Sequence, residues 1–349
     1  MVLFIGVAIA YTNSKRFDIV GIVIVGLVYI ALNYTRTGLG VDEPVYLEAY
    51  KDYIQLGILH FEYSFNAVYY LLSLADVEPL YFNRILSTLF ILISIVVILK
   101  CVAKPYQTLG LVFFYFFLSL LILFSMLIGK VLLFYSWHYL CIIFQTIGKK
   151  NQHLCFSLGL VFIGHPLSLL LSFSAARFIS LRLARRLNVV VLLLTSVAAV
   201  VPLKIIPFVS AVLLAGSFGS PYALKVIHYL DSPIAYFYDL NMLGRLPLMI
   251  AVITTLIYVF IYRNIIPVLF YKVIIILMLY CLLFLEMSYS FRNYYWVLPF
   301  LPLLMANMPC FVKNNNNERK SALVIALLFH LILSITGYYT SGIMPMIFQ

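Results

Sequence analysis

The stretch YFNRILSTLFILISIVVIL, residues 81–99, carries a single charged side chain, Arg84. A helix needs about 20 largely apolar residues to cross the hydrocarbon core of a bilayer, so this stretch reads as a membrane span. Similar apolar runs lie at 2–12, 17–34, 107–128, 131–147, 154–164, 167–181, 188–206, 246–261, 265–285, 294–311 and 321–337. Together they predict an all-α polytopic membrane protein with about 12 transmembrane or re-entrant helices. Residues 1–349 read as one integral membrane domain. A mean hydropathy of +1.07 with 10% charged residues excludes an ordinary soluble domain. The run at 2–12 and the pair around Gly164–Pro166 are short, and the pair reads as a re-entrant hairpin as readily as two spans. The first run lacks a charged leader and a small-residue cleavage site, so it is expected to be a retained span.

Charge sets the expected orientation. Lys15/Arg16, Lys100/Lys104, Lys149/Lys150, Arg182/Arg185/Arg186, Arg263 and Lys313/Arg319/Lys320 punctuate the apolar runs and alternate with non-basic or acidic connections. The positive-inside rule places these basic segments on the cytoplasmic side and both termini outside. The formal net charge of +11 is therefore a matter of topology, and no contiguous basic patch suggests a nucleic-acid partner. All 12 carboxylates except Asp18 and Glu318 then fall on the outward side.

Seven of those carboxylates, Asp42, Glu43, Glu48, Asp52, Glu62, Asp76 and Glu78, crowd into the long outward loop 35–80. Charged groups this scarce and this clustered mark function in a membrane protein. Tyr46, Tyr50 and Tyr53 recur at helical spacing, and 65–74 is nearly all apolar, which predicts helices lying along the interface. A second outward loop, 207–245, mixes Gly, Ser, Pro and Tyr with Lys225, His228, Asp231, Asp239 and Arg245, whereas KNNNNERK at 313–320 reads as a cytoplasmic linker.

Within TRTGLGVDEPVYLEAY, 35–50, Gly38 and Gly40 permit a tight turn between Arg36 and the Asp42–Glu43 pair. A carboxylate at the membrane surface can take a proton from a sugar hydroxyl; the same residues also read as a solvated loop ended at Pro44. Arg292, in SYSFRNYYWVLP (288–299), opens a span and has the fork geometry to bind lipid pyrophosphate. Its plainer reading is an anchor within an aromatic belt formed by Tyr294, Tyr295 and Trp296. Arg245 and Arg84 invite the same two readings. Lys130 stands alone between apolar runs, and His165 in GHPLS is a candidate base, phosphate contact or helix cap. His138 and His330 have apolar neighbours and read as structural. Cys101, Cys141, Cys155, Cys281 and Cys310 show no CxxC spacing, and no HExxH, Walker or GxGxxG motif occurs. No metal, cofactor or nucleotide is expected.

These residues resemble the Wzy-type O-antigen polymerases, specifically the EpsG-like branch. Arg36, Gly38, Gly40, Asp42, Tyr46 and Tyr50 resemble its R-x-G-x-G-x-D stretch followed by spaced tyrosines. Glu62 and Phe65 resemble its E-x-x-F-like element, and Gly129–Lys130 sits where the branch has glycine followed closely by arginine. His165 with Ser168 resembles its H-x-S element, and Arg292 its arginine before a late span. The resemblance implies a GT-C-like helix arrangement in the bacterial inner membrane with a periplasmic active site. It implies a metal-independent glycosyltransferase that joins undecaprenyl-pyrophosphate-linked oligosaccharides, sometimes with a chain-length regulator as partner. Asp42 or His165 would be the base. Arg36, Arg245 and Arg292 would surround the pyrophosphate, with Glu43 and Lys130 also contacting substrate and Tyr46 and Tyr50 stacking on sugar rings. Two other readings stay open: a GT-C-type transferase using a polyprenyl-phosphate sugar, and a lipid-linked oligosaccharide flippase.

Overall fold

A computed structural model describes residues 1–34, 43–60, 63–114, 175–202, 208, 211–212, 215, 242–286, 291–294, 297–298, 300–312 and 316–340. Among these residues the regular structure is helical, with no strand. Among the described residues three helices are long and apolar enough to cross a membrane, over Pro79–Cys101, Leu243–Ile261 and Asn316–Thr336, and shorter apolar helices cover Val2–Thr12, Val268–Leu283 and Phe300–Phe311. This architecture is compatible with a membrane protein.

The chain divides into two compact units: Met1–Leu167 with Leu301–His330 and Ser341–Gln349, and Ser168–Phe300 with Leu331–Thr340. In the first unit, α1 (Val2–Thr12) ends where Asn13 adopts a left-handed φ of 55° and its N–H bonds back to Ala10 and Ile9. At 1.5 Å per residue α1 is roughly 16 Å long, about half a hydrocarbon core. It turns into α2 (Lys15–Tyr34), and α3 (Glu43–Leu56), α4 (Tyr63–Leu74), α5 (Pro79–Cys101) and α6 (Gln107–Phe114) follow. Helices α1, α2 and α5 all pack on α6, and α2 also packs on α5. The approach of α2 to α6 requires glycine at 21, because a Cβ there would lie 2.5 Å from the Thr108 hydroxyl and 2.6 Å from Ile9 Cδ1.

That contact is organised by Asp18, which is wholly buried. Its carboxylate accepts from the Thr108 N–H at 2.8 Å, the Gln107 N–H at 3.2 Å and the Thr108 hydroxyl at 2.8 Å. These N–H groups begin α6, where a helix has no internal acceptors and carries a positive partial charge. The connection 102–106 is fastened at the same end of α5. Gln107 Nε2 donates to the carbonyls of Leu99 and Val102, and Asn307 accepts from the Ala103 N–H while donating to the Cys101 carbonyl. His330, expected to be structural, is 2% exposed with its ring centroid 4.5 Å from that of Phe113.

In the second unit, α7 (Leu181–Ala198) packs on α8 (Met242–Ile261) and α9 (Val268–Leu283). Ser180 caps α7 by accepting from the Leu183 N–H at 3.1 Å. Its inner face follows helical spacing, with Ala184, Asn188, Val191, Thr195 and Ala198 buried. Asn188 donates to the Tyr271 hydroxyl at 3.2 Å and Arg185 to Asn264 at 2.9 Å. Beyond α9 comes α10 (Phe291–Tyr294); the last described helices in the chain, α11 (Phe300–Phe311) and α12 (Asn316–Thr340), belong largely to the first unit.

Three boundaries differ from the hydropathy reading. Arg182, Arg185 and Arg186 occupy the first turns of α7 instead of a loop. The expected linker 313–320 is helical from Asn316, with Glu318 in the first turn of α12. Of the expected span at 294–311, the helix α11 covers only Phe300–Phe311, and Tyr294 is the last residue of α10. Hydropathy registers the apolar part of a helix, yet each further residue adds a backbone hydrogen bond, so helices run past it into polar sequence. The described residues contain the three long apolar helices named above; the expected runs 131–147 and 154–164 lie wholly outside the described residues, and 107–128 and 167–181 lie partly outside them.

Candidate functional site

The described part of the acid-rich loop is 43–60 and 63–80, which leads into the start of α5. Glu43 opens α3, with Pro44 next to it in the first turn, where a missing N–H removes no helical bond. On α3, Tyr46, Ala49 and Tyr50 are buried, and Tyr53 is half-buried at the same helical spacing. The helix ends at Gly57, whose φ of +67° suits a residue without Cβ and whose N–H bonds to the Tyr53 carbonyl. On α4, Asn66 and Tyr69 are buried.

These helices fold onto the start of α5 through an aromatic core. Tyr50, Tyr69 and Phe82 are all 0% exposed, with ring centroids 5.0 to 5.2 Å apart. Burying each ring contributes about 2–3 kcal/mol before entropy is counted. Each phenol also has an acceptor: Tyr50 donates to the Val77 carbonyl at 3.0 Å and Tyr69 to the Tyr46 carbonyl at 3.1 Å. The first bond fastens the turn between α4 and α5; the second joins α4 to α3. Burial raises both phenol pKa values above the usual 10, with Tyr53 and Asp76 adding to the effect on Tyr50 and Tyr46 to that on Tyr69.

This packing corrects the expected role of two residues. Tyr46 and Tyr50 were candidates for stacking on sugar rings, but Tyr50 is covered on both sides and Tyr46 is 6% exposed. Their rings form the loop's core and offer no face to a ligand. Aromatic surface comes instead from Tyr70 and Tyr81, 54% and 42% exposed. Arg84 places its guanidinium 5.6 Å from the Tyr81 ring centroid. Glu48, Asp76 and Glu78 are exposed on this framework.

One constellation was missed in the sequence. His60 Nε2 lies 2.8 Å from Asp52 Oδ2, with the side chains 40% and 33% exposed. The only local signal was Gly57 between them, which lets the chain fold back after α3. Among the described residues no cluster of His, Cys, Asp and Glu is arranged to hold a metal ion.

Two candidate arginines belong to the second unit. Arg245 is half-buried in the first turns of α8, and Arg292 lies in α10. Helix α10 is fastened through Tyr294, whose hydroxyl is 2.7 Å from the Thr255 hydroxyl and 3.3 Å from the Ala251 carbonyl of α8. Asn293 donates to the Phe284 carbonyl at 3.3 Å. Tyr294 is therefore a core residue, 4% exposed, and not a member of an aromatic belt. A small cavity of about 10 Å³ lies beside it, lined also by Thr195, Met249 and Cys281. Glu286, expected at the outer end of a span, is 3% exposed. Arg36, Asp42, Glu62, Lys130, His138, His165 and most of the loop 207–245 lie outside the described residues. No protein-family profile, curated protein or solved structure matches this chain.

Proposed function

We propose that this chain is a glycosyltransferase of the bacterial inner membrane that polymerises undecaprenyl-pyrophosphate-linked oligosaccharide repeats at the periplasmic face. The observation that carries this reading is the gathering of seven of 12 carboxylates into residues 36–80. Two helices on an aromatic core, with Glu48, Asp76 and Glu78 at the surface, suit a loop that handles a hydroxyl-rich substrate. The resemblance to the EpsG-like branch supplies the reaction class.

In this reaction a hydroxyl of the acceptor repeat attacks the anomeric carbon of the donor chain. Undecaprenyl pyrophosphate departs, and arginines stabilise its charge. Arg36, Arg245 and Arg292 take that role, since bidentate guanidinium contacts suit phosphate oxygens. Asp42 and His165 are the candidates the resemblance supplies for taking the hydroxyl proton, and Glu43 and Lys130 contact the saccharide. Tyr70 and Tyr81 replace Tyr46 and Tyr50 as ring platforms. A separate chain-length regulator is the expected protein partner.

The test is the surface-glycan ladder of the source bacterium after deletion of this gene, with wild type, Asp42→Ala or Arg292→Ala restored. Glycan of a single repeat unit after deletion, and no ladder from either variant, is the expected result. Loss of all repeats would favour a flippase. A full ladder of altered mobility would favour a decorating transferase with a polyprenyl-phosphate donor.

A further inference from the structure

The contact between His60 and Asp52 has the geometry of a base held by a carboxylate, and it lies in the acid-rich loop. We propose that His60, oriented by Asp52, is the general base that accepts the proton of the attacking sugar hydroxyl, in place of Asp42 or His165. This rests on the polymerase reading above.

Asp52 projects from α3, which Tyr50 and Tyr69 fasten to its neighbours, so the carboxylate stands on a rigid element. His60 Nε2, 2.8 Å away, donates its proton to Asp52 Oδ2. A neutral imidazole has one N–H, so this bond assigns the proton to Nε2 and leaves Nδ1 with a lone pair. A base oriented by a third group in this way is the recurring arrangement for activating a hydroxyl. The imidazole is 40% exposed, enough for a substrate to reach it.

The surroundings match a lipid-linked saccharide. Ile54, Leu56, Ile58 and Leu59, flanking Gly57 in the chain, are 46%, 67%, 43% and 57% exposed. An apolar rim of this kind fits the boundary between headgroups and acyl chains, where a prenyl-linked sugar places its first residues. The step balances as follows: the hydroxyl oxygen bonds to the anomeric carbon, and the bond from that carbon to pyrophosphate breaks. The bonding electron pair leaves with undecaprenyl pyrophosphate, and the hydroxyl proton passes to His60 Nδ1 and then to water.

The experiment uses the full chain in liposomes with undecaprenyl-pyrophosphate-linked glycan extracted from the deletion strain. His60→Gln and His60→Gly should lower kcat by about 10²–10⁴-fold, the range for a general base, with KM within about twofold. Added imidazole should restore the glycine variant by at least about tenfold and leave wild type unchanged, because an exposed cavity admits the missing base. Asp52→Asn should lower kcat less, since it disturbs the orientation of the base without removing it. Full activity of His60→Gln, or of Asp52→Asn, would overturn the proposal. So would a folded His60→Gly that imidazole does not rescue, which would make the contact a structural clasp. Wild type that fails to lengthen the glycan would instead overturn the polymerase reading itself.

Discussion

The two ends of α5, about 35 Å apart for a helix of this length, are fastened by opposite chemistry. At Phe82 the surroundings are aromatic: Tyr50 and Tyr69 pack on it, each phenol makes one bond to a carbonyl, and the neighbouring acids stay in solvent. At Cys101 the surroundings are polar: Asp18, Gln107, Thr108 and Asn307 satisfy backbone groups, and the carboxylate is buried. The first end gains mostly from area removed from water and leaves its charges available. The second gains from charge-assisted bonds to the start of α6, which use its carboxylate completely. At these two ends of α5, acids stay at the surface where aromatic packing holds the fold, and the acid is consumed where it holds the fold itself.

The comparison can be broken most severely at the aromatic end. Tyr69→Ala should cost about 3–5 kcal/mol, as for large-to-small changes in packed cores, read as a fall in the thermal midpoint of the purified protein. Asp18→Ala should follow at about 2–3 kcal/mol, because it strands two N–H groups at the start of α6. Tyr50→Phe and Tyr69→Phe keep the rings and lose one bond each, so about 1 kcal/mol is expected. A larger loss from the phenylalanine variants than from Asp18→Ala would invert the contrast between the two ends. The smallest effect belongs to His60→Gln, a half-exposed position expected to change stability by about 0.5 kcal/mol or less. Its predicted effect is on kcat.

Alkaline titration probes the aromatic end as well. Burial raises the Tyr50 and Tyr69 pKa values in the folded protein. Their contribution to stability is therefore fully present below pH about 10, the unfolded value, and is lost as pH rises through the folded values. Tyrosinate absorbance should show exposed tyrosines ionising before these two. The Tyr50→Phe/Tyr69→Phe double variant should reduce the late component by two phenols.

Much of the helix pattern was legible in the sequence. The runs at 2–12, 17–34, 81–99, 246–261, 265–285 and 321–337 all fall largely within helices. The helical spacing of Tyr46, Tyr50 and Tyr53 correctly marked α3, but their spacing could not show which way that face turns. The face turns inward, and so the predicted sugar platform became a core. His60 and Asp52, eight residues apart, matched no motif, because their contact depends on how Gly57 redirects the chain.

By itself the sequence determined the all-helical character and most of the places where helices form, because hydropathy accumulates over neighbouring residues and backbone hydrogen bonds are local. It also determined that the acids gather between the second and third long apolar runs. Only the tertiary structure decided which of those polar groups is spent on folding. Asp18 meets Thr108 across 90 residues, Tyr50 meets Val77 across 27, and Asn307 meets Cys101 across 206. Burial of a polar group is favourable only when such a distant partner arrives, and no local pattern records that arrival.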